Sequence, residues 1–221
     1  MDPNIAPFLS QLQSLYGSFD PDKVQTRRRS YYSYVAYPTA GQQTFSFFST
    51  AIGSSNRQLT NIQQSGRLDN PLIVKAIRMR YFITAQNVSA WAGTDVSTIY
   101  SDLVNGLFTV GVLTVNIGSK EWMTIPTPFY YAPPAYGKPE VFAAGTSGAN
   151  ISRMPFADLP NTKAAAFVVD PSFLIGNNQN FLITLEYPSG LVPVIGTTVV
   201  TSNTVLYVGC DIDGIEIRPV Q

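Results

Sequence analysis

Leu72-Ile73-Val74-Lys75-Ala76-Ile77-Arg78-Met79-Arg80-Tyr81-Phe82-Ile83-Thr84-Ala85-Gln86 is the stretch that decides the fold class. Ile73, Ile77, Met79, Tyr81 and Ile83 mostly fall on one side of an alternating pattern, with Arg78, Arg80 and Thr84 on the other. A period of two kept up over that length belongs to a long, half-buried β-strand. On its N-terminal side, residues 31–37 and 44–50 are aromatic strands joined by Pro38-Thr39-Ala40-Gly41, and together they read as a hairpin. Residues 53–70 between them and the long strand are polar and loop-like. On its C-terminal side, residues 96–106 read as a short helix, and residues 107–117 as a strand whose start is apolar on both faces, as at the centre of a sheet. Strands follow at 165–169, 181–187, 191–200 and 204–217. In the last, Leu206, Val208, Cys210 and Ile212 share a face before the apolar phase slips to Ile215 and Ile217. A slip of one residue predicts a bulge, placed at Asp213-Gly214.

The N-terminus is different. Ile5, Phe8, Leu9, Leu12, Leu15 and Tyr16 follow the spacing of one helical stripe, with Asn4 as a cap and Gly17 as a stop. A helix of this length is unstable alone, so the stripe must dock on its own domain, on a neighbouring subunit or on a membrane surface. These features predict an all-β fold, a jelly-roll or Greek-key β-sandwich of about eight to ten strands, preceded by a short amphipathic N-terminal helix. Residues 1–26 form the helix and a linker arm, and residues 27–221 a single β-sandwich domain.

Composition narrows the chemistry. Among 221 residues, charged side chains make up 13%, about half of the roughly 25% usual in globular domains. Lysine plus arginine is 14 and aspartate plus glutamate is 14, a balance unlike that of proteins that coat nucleic acid. With no histidine, the Ser-His-Asp triad, the Cys-His dyad and the common zinc sites are excluded. Cys210, the single cysteine, cannot form an internal disulfide and alternates in register with apolar neighbours, as a buried small hydrophobe does. No apolar run reaches the length of a membrane-spanning helix, and Met1-Asp2-Pro3-Asn4 does not start like a signal peptide, so synthesis in a reducing cytoplasm is expected.

Candidate catalytic groups are few. Asp211, Asp213 and Glu216 lie close together but lack the ligand order of a calcium loop, and read as solvated acids at a turn and bulge. Glu121, Glu140 and Glu186 have no local partner for glycosidase chemistry. The expectation is a protein that is not an enzyme, with no catalytic, cofactor-binding or metal residue and no small-molecule substrate. Arg27-Arg28-Arg29, followed by Tyr31, Tyr32 and Tyr34, has two readings: a basic arm touching phosphates and bases, or arginines pairing with acids or carbonyls of a neighbouring chain. Three charges give a shallow salt dependence, so nucleic acid is touched at most weakly there. The Pro-rich segment 126–139 carries Phe129, Tyr130, Tyr131 and Tyr136, which suit either stacking on sugars or anchoring in a subunit interface.

The order of elements, with Tyr31-Tyr32-Ser33-Tyr34, Gly41-Gln42-Gln43-Thr44-Phe45-Ser46-Phe47-Phe48, Thr60-Asn61, Gly66-Arg67-Leu68 and then residues 72–82, resembles jelly-roll capsid proteins of icosahedral bacteriophages. The resemblance implies a virion protein, made in the host cytoplasm, whose partners are copies of itself and other virion proteins. It implies self-assembly through loops and the N-terminal helix, with Phe8, Leu12, Leu15, Phe129, Tyr130, Tyr131 and Tyr136 as subunit contacts. Arg27, Arg28 and Arg29 are the nucleic-acid or inter-subunit contacts. A carbohydrate- or receptor-binding β-sandwich, as in a phage spike, fibre or lectin-like module, is the alternative.

Overall fold

The computed structural model describes residues 3–17, 19–38, 41–54, 57–85, 110–126, 166–187 and 204–219. A single turn of 3-10 helix, Ala6–Phe8, leads into α1, Leu9–Tyr16. Among the described residues eight strands follow: β1 Val24–Tyr37, β2 Thr44–Phe47, β3 Leu72–Ala85, β4 Val112–Ile117, β5 Lys120–Pro126, β6 Phe167–Ile175, β7 Phe181–Glu186 and β8 Thr204–Pro219. They form two four-stranded sheets, ordered β1-β8-β3-β6 and β2-β7-β4-β5, and every pairing is antiparallel. First pairs with last, second with seventh, third with sixth and fourth with fifth. That nested pairing is a jelly-roll β-sandwich, the fold class the sequence pattern predicts.

The core lies between the sheets. Tyr31, Leu72, Val74, Ile77, Met79, Phe173, Ile175, Val208, Cys210 and Ile212 come from one sheet, and Phe45, Phe47, Leu113, Val115, Ile117, Phe181, Ile183 and Leu185 from the other. Period-two alternation supplies these inward faces. Cys210 is fully buried there, and burial pushes its thiol well above the ordinary range.

The elements differ from the expectation in four places. Residues 31–37 and 44–50 are not a hairpin: β1 pairs with β8 and β2 with β7, so the chain crosses between sheets after Tyr37. Tyr37 and Phe45 instead stack across the sandwich, with centroids 5.1 Å apart. An aromatic strand hides one face equally well from a neighbour beside it or opposite it, so the pattern does not distinguish the two. Second, β5 has no counterpart in the expectation. It is an edge strand with Lys120, Glu121 and Trp122 exposed and Trp122 at a register slip, which erases its alternation. Gly118, at φ 61°, makes the tight turn that returns it to β4. Third, β6 runs on through Pro171 to Ile175; residues 169–172 leave the ladder between Val168↔Ala76 and Phe173↔Val74, so no neighbour needs the missing N–H of Pro171.

The fourth difference concerns the bulge. β8 pairs with β1 in unbroken register from Val24↔Pro219 to Tyr37↔Leu206, so the phase slip in β8 involves no extra residue. The extra residue is Lys75 in β3, where Val74 faces Gly214 and Ala76 faces Asp213. Ile212 and Ile217 are both buried because the two faces of β8 serve two cores. Val208, Cys210 and Ile212 point into the sandwich, whereas Ile215 and Ile217 point outward into a second cluster with Ile73, Leu174, Ile5, Phe8 and Leu12. Gly214 is required at this point, because a Cβ there would run into the backbone carbonyl of Ile73. The expected helix at 96–106 and strand at 191–200 lie outside the described residues.

Candidate functional site

Strand alternation divides the arginine run. Arg27 and Arg29 face inward and Arg28 faces outward, so the three do not form one patch. Arg27 pairs with Glu216, directly opposite it on β8. The guanidinium of Arg29 sits over the Tyr31 ring, 5.2 Å from its centroid. The structure thus uses Arg27 against an acid of its own chain, where the sequence reading had a neighbouring chain.

Glu216 is the centre of a buried knot at the end of the sandwich. It is 1% exposed, yet it accepts hydrogen bonds from the Tyr31 hydroxyl (2.9 Å), the Asn70 amide (3.1 Å) and Arg218 (2.9 Å) besides Arg27. Burial alone raises a carboxyl pKa; here the hydrogen bonds from Arg27, Tyr31 and Asn70 and the charge of Arg218 outweigh it and hold Glu216 below the ordinary glutamate range.

Asp211 and Asp213 share the outer face of the same sheet, but they are buried rather than solvated, which corrects the sequence reading. Asp213 receives Arg78 and the Ser30 hydroxyl. Asp211 receives Arg80 at 2.6 Å and the Tyr34 hydroxyl at 3.3 Å. For Asp211 the desolvation dominates, and its pKa lies above the ordinary aspartate value despite Arg80, Tyr34 and Arg78. The Tyr34 ring covers Gly209, leaving no room for a Cβ there. Buried acids need buried cations, and Arg78 and Arg80 on the outward phase of β3 are the sequence signal that foretells these pairs.

Next to this ladder lies an open groove of about 510 Å³, lined by Asn4, Thr26, Arg28, Lys75, Ala76 and Gly214 among others. It marks the place where the apolar, helix-covered end of the face gives way to the charged middle. Lys75 escaped the sequence reading. Its signal was a lysine inside Leu72-Ile73-Val74-Lys75-Ala76-Ile77, on the apolar phase of the alternation, where only a bulge could keep it out of the core.

The helix stripe settles on its own sheet. Leu12 is 0% exposed and Phe8 7%, both packed with Ile73, Leu174 and Ile217, and Leu15 is half-buried against the same cluster. Tyr16 hydrogen-bonds Asn177 in the turn after β6. The expected subunit contacts Phe8 and Leu12 therefore have their apolar surface covered within the chain. Phe129, Tyr130, Tyr131 and Tyr136 lie outside the described residues.

The other sheet turns a different surface outward. Ser46, Thr184, Thr114 and Thr124 stand in register across all four strands, a transverse row of hydroxyl side chains in which Thr114 and Thr124 are 3.1 Å apart. Its β5 edge exposes Trp122, whose ring lies 6.0 Å from Phe173, and the β6 edge beside it exposes Val168. At the opposite side of the sandwich the β1 edge is covered over residues 30–34: Tyr34 N–H donates to Leu59 O, and the Asn61 side-chain amide accepts from Tyr32 N–H and donates to Ser30 O like a strand. Among the described residues no His, Cys, Asp and Glu group has metal-ligand geometry, and no helix is long and apolar enough to cross a membrane. Comparison with protein-family models, curated proteins and solved structures gives no match.

Proposed function

We propose that this chain is a structural virion protein, a capsid subunit of an icosahedral bacteriophage that self-assembles into a shell. The nested pairing of eight strands in two sheets is the observation that carries this reading, since double-sheet jelly rolls recur in capsid proteins. Two surface features support it. The hydroxyl row on the outer face of the second sheet offers uncharged hydrogen-bonding groups, with Glu121 held by Thr124 as the acid beside it, and Trp122 with Val168 offers apolar anchors at one edge. Contacts then come from strand edges and loops, with small energies per contact multiplied by symmetry. The N-terminal helix acts by holding the sheet that presents them.

Jelly rolls also serve as lectin domains, and the exposed Trp122 could stack on a sugar ring. A carbohydrate- or receptor-binding module is the rival on that account. Gel filtration and negative-stain microscopy of the purified chain separate the two: shells or capsomer-sized oligomers are expected. A monomer or trimer that binds glycans, and loses them on Trp122→Ala, refutes the capsid reading.

A further inference from the structure

We propose that the groove between Arg28 and Lys75 is a phosphate-binding site, an inference that does not depend on the assembly reading. Arg28 stands on β1 and Lys75 at the bulge of β3, with the backbone of β8 between them. Two ladder spacings separate β1 from β3, about 10 Å, so the two cations flank a space instead of touching. The backbone of Gly214 lines that space, and Ala76 brings only a methyl group to it.

The charges around the groove do not cancel. Arg28, Lys75, Arg78 and Arg80 belong to this face of the sheet, against the carboxylates of Asp211 and Asp213. Asp213, the acid at the groove, is already engaged by Arg78 and Ser30, and Asp211 by Arg80 and Tyr34. Among the described residues neither Arg28 nor Lys75 has an acidic partner. The crowding is felt by Arg78, whose pKa is lowered first by burial and then by the like charges of Arg80 and Arg28, with Asp211 opposing. Two positive charges are left over.

A phosphate matches what is left. The planar fork of a guanidinium takes two oxygens of one phosphate, and an ammonium serves as a point charge from the other side. A dianion cancels both spare charges, whereas one carboxylate cancels half. The groove is open along the surface and larger than a single phosphate group. The phosphate can therefore arrive free or as one unit of a nucleic-acid backbone, and the shared chemistry is the proposal.

The test uses the full chain and two probes: inorganic phosphate followed by amide chemical shifts, and a short labelled oligothymidylate followed by anisotropy. Binding of either probe is expected, with shifts centred on Arg28, Lys75 and Gly214. Arg28→Ala and Lys75→Ala should each weaken it about tenfold, the loss of one charge-assisted hydrogen bond. Lys75→Arg should retain it, and Lys120→Ala, an equal charge loss on the other sheet, should leave it unchanged. For the oligothymidylate, two phosphate contacts predict a log–log salt slope of about −1.4, halved in either single variant. Binding of phosphate alone identifies a small-anion site, and binding of the oligothymidylate alone a backbone site. The proposal is overturned if neither probe binds at low salt, or if Lys120→Ala weakens binding as much as Lys75→Ala. A salt-sensitive dimer that needs Arg28, with no phosphate binding, also overturns it, because the cations then serve carboxylates of a second copy.

Discussion

Leu12→Ala measures whether the N-terminal helix belongs to the sandwich. Leu12 is fully buried among Ile5, Phe8, Ile73, Leu174 and Ile217. Truncation removes three carbons, roughly 2.4 kcal/mol at about 0.8 kcal/mol each. A cavity adds to this wherever the surroundings cannot close, and Leu→Ala changes span about 2–5 kcal/mol. Because α1 rests on the sheet by one face and can settle inward, the expected cost is near the lower end, about 3 kcal/mol. Urea unfolding of dissociated chains reads this as a midpoint lowered by about 1.5 M, for a slope of about 2 kcal/mol/M. Amide exchange of residues 9–16 supplies a second readout, sensitive to undocking of the helix alone. If the midpoint and the exchange both stay at wild-type values while assembly fails, Leu12 contacts a neighbouring subunit and the packing argument is wrong.

Removing the cation from a buried pair leaves its acid stranded, so Arg78→Ala should cost about 3–5 kcal/mol, and adding Asp213→Leu should recover much of it; a double-mutant cycle by urea unfolding measures both. Gly214→Ala should destabilise more than Gly209→Ala, since a Cβ at the first meets fixed backbone and at the second a ring that can swing away, at the expense of the Tyr34–Asp211 hydrogen bond. Thermal melts rank the two. With its pKa held below the usual 4.5, Glu216 contributes stability that is present above pH 4.5 and lost as the pH falls through its lowered value. Asp211 has the opposite sign: its pKa is raised above 3.8, so its contribution is present below pH 3.8 and lost as the pH rises through the raised value. Glu216→Gln should therefore be less stable than wild type at neutral pH, with the gap closing below pH 4.5, as checked by urea midpoints across that range.

The surfaces differ in how far local sequence reveals them. Alternation in residues 72–86 and 204–217 marks both as strands, but it assigns Ile73 and Ile77 to one side, and they lie on opposite sides. Lys75 is the reason: one bulged residue reverses every side chain before it. The arginine run shows the converse. Three adjacent cations look like a patch in one dimension, and a strand sends Arg28 away from Arg27 and Arg29.

Periodicity, turn residues and composition by themselves determined that this is an all-β protein with an amphipathic helix in front, because each depends on neighbours within a few positions of the chain. They also determined which residues must be hidden. Where those residues hide was decided only in three dimensions. That β1 lies beside β8, that α1 covers the outside of the same sheet, and that Asp211, Asp213 and Glu216 find their cations all require segments far apart in the chain to meet, 135 residues for Arg78 and Asp213 and 189 for Arg27 and Glu216. An apolar face or a buried carboxylate states a need for a partner without naming it, and the choice is made by the energy of the whole packed sandwich.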